Sequence, residues 1–199
     1  MLILGITGGI GSGKSYISSL LRARMNVPVY DCDTEAKRLI AADMGIRQKL
    51  TELVGPQVYK DGILQKGVLA DYLFASQQHA EKINAIVHPA VKDDFRKWAE
   101  QQDAEVAALE SAILYESGFD TTVDKVLFVD APVELRIQRA MKRDGSTRRQ
   151  VETRIGMQQT EEQRQKADYV IENGRVDRET LLAALTEIMR DITAPKAAQ

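Results

Sequence analysis

The clearest chemistry in this chain sits in eight residues near its start. Gly8-Gly9-Ile10-Gly11-Ser12-Gly13-Lys14-Ser15 follows the spacing G-x-x-x-x-G-K-[ST]. Glycines let a backbone turn tightly enough for several N–H groups to point inward at one phosphate chain. Lys14 would set a point charge on the outer phosphates, and the Ser15 hydroxyl is a hard oxygen suited to Mg²⁺. The setting agrees. Leu2 to Ile6 is an apolar run rich in strand formers, and Ile17, Leu20 and Leu21 recur at helical spacing beyond the loop. A helix that begins there adds the positive end of its dipole to the same anion.

Acids and bases elsewhere could complete a transfer of phosphate. Asp31 and Asp33 follow a second short strand candidate, Val27 to Tyr30. The carboxyl ends of strands in open α/β sheets line the ligand crevice, so either carboxylate could take a proton from a substrate hydroxyl. Asp33 could equally do no more than cap the helix that follows. Glu110 ends the apolar run Val106 to Leu109, a place where an acid commonly holds Mg²⁺ through water. Glu116 is a weaker candidate of the same kind. Residues 136–154 hold seven basic side chains (Arg136, Arg139, Lys142, Arg143, Arg148, Arg149, Arg154) against Asp144 and Glu152. Such a segment around Asp144-Gly145-Ser146 suits a mobile lid that brings arginines to transferring phosphates. Charge alone does not choose among them, and a solvated helix face accounts for part of the run. His88 has no evident partner, His79 reads as surface, and Cys32 as a small buried filler.

These residues need a scaffold, and the rest of the chain supplies its outline. Short strands recur at Val106 to Leu109, Val126 to Val129 and Tyr169 to Ile171, mostly separated by helical stretches. With the two earlier strands this predicts an α/β fold, a mostly parallel five-stranded sheet covered by helices. From Ile46 to Trp98 strand signals nearly vanish. Leu69, Leu73, Ile83, Val87, Val91, Phe95 and Trp98 recur at three- and four-residue intervals, a helical insertion in which Pro89 is expected to end one helix and open the next. Asp177 is the expected cap of a last helix carrying Leu181, Leu185, Ile188 and Ile192, and Ala194 to Gln199 reads as a frayed tail. The expected organisation is a single domain over 1–199. Its nucleotide-binding core covers about 1–42 and 103–195, its helical subdomain about 43–100 and its lid about 143–166.

Composition narrows the function classes. The chain has 199 residues, a formal net charge of −2 and 44% hydrophobic residues, so neither disorder nor general nucleic-acid binding is indicated. No apolar run approaches the length of about 18 residues that spans a bilayer, and Leu2 to Ile6 lacks the features of a signal peptide. One cysteine forbids an internal disulfide and fits a reducing, cytoplasmic setting. Oligomeric state has no signature in the sequence.

The motifs together resemble the dephospho-coenzyme A kinase family over nearly the whole chain. Gly5-Ile6-Thr7-Gly8-Gly9-Ile10-Gly11-Ser12-Gly13-Lys14-Ser15 is similar to that family's phosphate loop, and Asp31-Cys32-Asp33 to its Asp-x-Asp. Ile86-Val87-His88-Pro89 resembles its His-Pro signature. Arg143-Asp144-Gly145 with Arg154-Ile155 and Gln158 resembles its lid, and Lys166 to Gly174 its segment near the ATP base. Where the family often has Asp-Ile-Pro-Leu-Leu-Phe-Glu, this chain reads Glu110-Ser111-Ala112-Ile113-Leu114-Tyr115-Glu116, with no proline and a longer first acid.

The resemblance implies a P-loop kinase that moves a phosphoryl group from ATP, with Mg²⁺, to the ribose 3′-hydroxyl of dephospho-coenzyme A. Asp33, Lys14 and Arg143 would be catalytic. Gly9, Ile10, Gly11, Ser12, Gly13, Lys14, Ser15, Tyr16, Arg143 and Asn173 would bind ATP. Asp33, His88, Glu116, Arg154 and Gln158 would bind the acceptor, while Ser15 and Glu110 would hold the metal. No nucleic acid or membrane partner is implied. The residues by themselves leave open another small-metabolite kinase, or a nucleotide-dependent switch, although no guanine-reading Asn-Lys-x-Asp is present.

Overall fold

The computed structural model describes residues 1–194. Residues 195–199, and with them most of the expected frayed tail, lie outside the described residues. In chain order the first elements are β1 (Leu2–Gly8), α1 (Lys14–Met25), β2 (Val29–Asp31), α2 (Cys32–Ala42) and α3 (Met44–Val54). They are followed by β3 (Tyr59–Lys60), β4 (Ile63–Leu64), α4 (Lys66–Ala75) and α5 (Gln77–Glu100). The second half runs β5 (Val106–Glu110), β6 (Lys125–Asp130), α6 (Val133–Asp144), α7 (Arg148–Gly156), α8 (Thr160–Lys166), β7 (Tyr169–Glu172) and α9 (Arg178–Thr193). By contact density the chain divides into a core, Met1–Tyr30 with the segment from Gln102 onward, and a helical unit, Asp31–Gln101. The expected boundary had put α2 with the core; its packing against α3 and α5 puts it in the helical unit.

The core holds a five-stranded sheet in the order β2-β5-β1-β6-β7. β1 pairs in parallel with β5 on one side (Leu4 beside Ala108) and with β6 on the other (Thr7 beside Phe128), and β6 pairs in parallel with β7. Parallel neighbours need crossovers, and covering helices make each strand apolar throughout, which is why β5 is buried at all five positions. Leu4, Ile6, Ile17, Leu21, Leu127, Ile171, Leu181 and Leu185 form the main cluster, with α1 and α9 laid against the sheet. A satellite cluster joins Ile137 and Ala140 of α6 to Val151 of α7, and Ile10 from the glycine-rich loop packs onto it.

The helical unit is organised by α5, whose Ile83, Val87, Val91 and Phe95 make one buried stripe packed against α2, α3 and α4. Two expectations fail here. Pro89 does not divide the segment: a single helix runs through it. Proline deletes the bond to the carbonyl four residues back, but Pro89 and Ala85 both lie on the exposed face, where water can take that carbonyl. The insertion is also not wholly helical, since β3 and β4 form a two-stranded antiparallel hairpin turned by Asp61 and Gly62, both with positive φ.

Candidate active site

The loop 8–13 leaves the end of β1, the central strand of the sheet, and runs straight into α1. Its shape depends on side chains brought from far along the chain. Arg136 of α6 is only 4% exposed and donates from Nε to the Ile10 carbonyl at 3.0 Å. Burial pushes its guanidinium below the usual arginine pKa. Gln158 accepts from the Ile10 N–H at 2.8 Å and from Arg136 Nη2 at 3.4 Å, closing a small network around that peptide. Arg139 Nη1 donates to the carbonyls of Ser12 (3.3 Å) and Asn173 (2.9 Å), while Asn173 Nδ2 donates to Ser12 O at 2.8 Å. Gly13 has φ of 96°, and a Cβ there would sit 2.0 Å from Asn173 Nδ2, so both backbone and neighbour require glycine. Ser12 Oγ is buried with no hydrogen-bond partner among the described residues.

Chemistry-bearing groups gather at the helix end of this loop. Lys14 Nζ donates to the carbonyls of Gly8 (2.9 Å) and Gly9 (3.3 Å). Ser15 Oγ donates to Glu110 Oε1 at 2.8 Å, which joins the start of α1 to the end of β5. Glu110 is 6% exposed. Gly11, Gly13, Lys14, Ser15, Arg139 and Arg143 line one cavity of about 200 Å³. Arg143 also pairs with Asp144, whose carboxylate is pushed down to about 2 by hydrogen bonding to Arg143 and, secondarily, to Arg154. Tyr16 is 43% exposed on the first turn of α1.

The remaining expected residues have other partners or belong to the helical unit. Glu116 accepts from Gln163 Nε2. Arg154 donates to Asp144 and to Ser146 Oγ, holding the turn between α6 and α7. Asp33 and His88 belong to the helical unit, on α2 and α5. The cap of α2 is Asp31 rather than Asp33: its carboxylate accepts from the N–H groups of Asp33 and Thr34, because the helix begins at Cys32. Asp33 itself is exposed. Burial, and then the charge of Lys92, lower the pKa of His88 below the usual histidine value.

A sequence model described as dephospho-CoA kinase matches residues 2–178. The chain belongs to the dephospho-CoA kinase family. It is 48% identical to the dephospho-CoA kinase of Bacteroides fragilis over 172 residues, 85% of this chain and 83% of the relative. Among solved structures it is similar to a Thermus thermophilus protein (31% identity, TM-score 0.84, 98% of each chain). It shares its fold with the dephospho-CoA kinase of Campylobacter jejuni (19% identity, TM-score 0.69, 96% of each chain). A kinase of this family takes its phosphate from a nucleotide, and the loop is the group of residues suited to hold it.

Two residues that brace the loop of this dephospho-CoA kinase family member, Arg136 and Arg139, were in the basic segment but could not be singled out by charge. Their spacing with Arg143 along α6 (three and then four residues apart) is the signal that puts all three on one helical face. Gln158 and Asn173, expected at the acceptor and at ATP, are engaged with the loop backbone. No helix among the described residues is long and apolar enough to cross a membrane.

Proposed function

We infer that this chain completes coenzyme A by moving the terminal phosphoryl group of ATP to the ribose 3′-hydroxyl of dephospho-coenzyme A. The observation that carries this reading is the braced loop with Lys14 and the Ser15–Glu110 contact, in a chain of this family. The loop's N–H groups and Lys14 bind the phosphate chain and offset its charge, with Arg143 beside them. Ser15 and Glu110 are both oxygen donors and already adjacent, which fits Mg²⁺; Mg²⁺ bound there supplies charge neutralisation for the phosphates. Exposed Asp33 orients the acceptor hydroxyl and accepts its proton, and His88, Glu116 and Arg154 serve the acceptor. The segment from 143 to 166 acts as a lid that excludes water, and the protein works in the cytoplasm.

A turnover assay with dephospho-coenzyme A, AMP, uridine and shikimate as alternative acceptors tests this. Dephospho-coenzyme A is expected to win. Lys14→Ala and Asp33→Ala should each lower kcat by about 10²–10⁴-fold with the fold intact. Full activity in purified Asp33→Ala would remove it as the base.

A further inference from the structure

Seven basic side chains crowd residues 136–154, and their partners tell them apart. Arg136 and Arg139 donate to carbonyls of the glycine-rich loop, and Arg148 pairs with Glu134 and Glu152, which ties α7 back to the start of α6. Arg143 and Arg154 differ, because they meet on the same carboxylate. Arg143 donates from Nε to Asp144 Oδ1 at 2.7 Å and from Nη2 to Oδ2 at 3.1 Å. Arg154 donates from Nη1 to that same Oδ2 at 3.1 Å, and from Nη2 to Ser146 Oγ at 3.1 Å.

Two guanidinium groups on one oxygen repel each other, and an anion between them is what keeps them together. Asp144 is that anion. Helix preference does not account for it, because Asp144 is the last residue of α6, the end whose dipole favours Lys142 and Arg143 and disfavours an acid. Surface stability is a weak reason as well, since Arg143 is 65% exposed and Arg154 41%, and water screens such pairs. What the contact fixes is placement: one arginine from α6 and one from α7 at a shared point.

The same contact has the form that phosphate recognition takes. The Nε–Nη2 fork of Arg143 spans both carboxylate oxygens, as such a fork spans two oxygens of a phosphate. Arg143 also lines the cavity shared by Lys14 and Ser15, so a nucleotide bound there offers the fork an equivalent partner. With Asp144 in place the three side chains sum to one positive charge, and without it to two.

We propose that Asp144 is a positioning residue of the phosphoryl transfer: its carboxylate gathers donor-side Arg143 and acceptor-side Arg154 into one unit and holds the place of phosphate oxygens until the substrates arrive. The proposal rests on the roles given to the two arginines in the preceding subsection. It assigns Asp144 two opposed effects. Its charge competes with ATP for Arg143, which weakens nucleotide binding, and its grip on both arginines sets their aim, which raises kcat.

Asp144→Asn keeps the size of the side chain at an exposed position and removes its charge. Its kcat should fall about tenfold or more, while the Kd for ATP by calorimetry should tighten about two- to fivefold, a gain that fades at high salt. Asp144→Glu returns the charge and should bring that Kd back to within about twofold of the parent. In an Arg154→Ala background, where no second arginine is left to gather, Asp144→Asn should lower kcat by no more than about threefold. Circular dichroism and Tm establish that each variant is folded. A folded Asp144→Asn with parental kcat would overturn the proposal. So would ATP binding that weakens along with kcat and ignores salt, the pattern of a merely structural residue. Equal losses of kcat in the parent and Arg154→Ala backgrounds would overturn it too. A parent that turns over no dephospho-coenzyme A refutes the reaction before any variant is compared. ATP affinity still reads Asp144 in that case, a salt-sensitive gain upholding its hold on Arg143 and an unchanged Kd ending the proposal.

Discussion

Gly9→Ala should cost far more than its backbone suggests, and the cost should vanish when Arg136 is gone. Gly9 has no positive φ, so alanine fits the local backbone. A Cβ built there, however, would lie 2.0 Å from Arg136 Nη2 and 2.3 Å from its Cζ. An exposed arginine would swing aside. This one is 4% exposed and held by the Ile10 carbonyl and Gln158, so retreat means giving up a charged hydrogen bond to the loop. Such bonds are worth about 1.5–3 kcal/mol. In a protein of this size about 1 kcal/mol moves Tm by ~2–4 °C, so a loss near 2 kcal/mol is about 4–8 °C. In an Arg136→Ala background the same Gly9→Ala change should cost under about 0.5 kcal/mol, leaving a coupling of roughly 2 kcal/mol between the positions. Thermal and denaturant unfolding of the parent, both single variants and the double variant gives that number directly. Equal losses in the two backgrounds would show that the loop is not shaped against this guanidinium, and the account of the site given above would fail.

Three further outcomes follow from single contacts. Glu110→Gln should raise the Mg²⁺ concentration for half-maximal activity by about 10–100-fold, read by metal titration at fixed ATP; an unchanged curve would remove Glu110 from the metal site. His88 binds its proton less readily in the folded protein than in the unfolded chain, so stability should be full above the ordinary histidine range and fall as pH drops through it. His88→Gln should flatten that acid-side slope in Tm against pH, and a slope identical to the parent's would count against it. The Asp144 carboxyl carbon should titrate near pH 2 by NMR, since Arg143 and Arg154 favour the ion; a midpoint in the ordinary carboxylate range would mean that neither arginine is held there.

What was legible in the sequence is what is local. Gly8 to Ser15 spells its own conformation, because the turn, the helix start and the charged tip lie within eight residues. Alternation of apolar strands with helical stretches gave the parallel sheet for the same reason. The braces of the loop were not legible: Arg136 and Asn173 reach it across 126 and 161 residues, and nothing near them records the partner. The effect of Pro89 is not legible locally, because it depends on which face of α5 meets water, a matter of packing. The sequence leaves Asp33 open as a cap of α2, and Asp31 takes that place because only the turn tells apart two aspartates that flank Cys32.

The place of β1 has a consequence of its own. Hydrogen-bonded on both edges and buried from Leu4 through Gly8, it is among the last segments that could open without the whole core opening. Amide protons of Gly5, Ile6 and Thr7 should therefore exchange with solvent deuterons only through global opening. The glycine-rich loop rooted there inherits the fate of the entire sheet, so damage that spares the middle of the sheet leaves the loop's anchor in register.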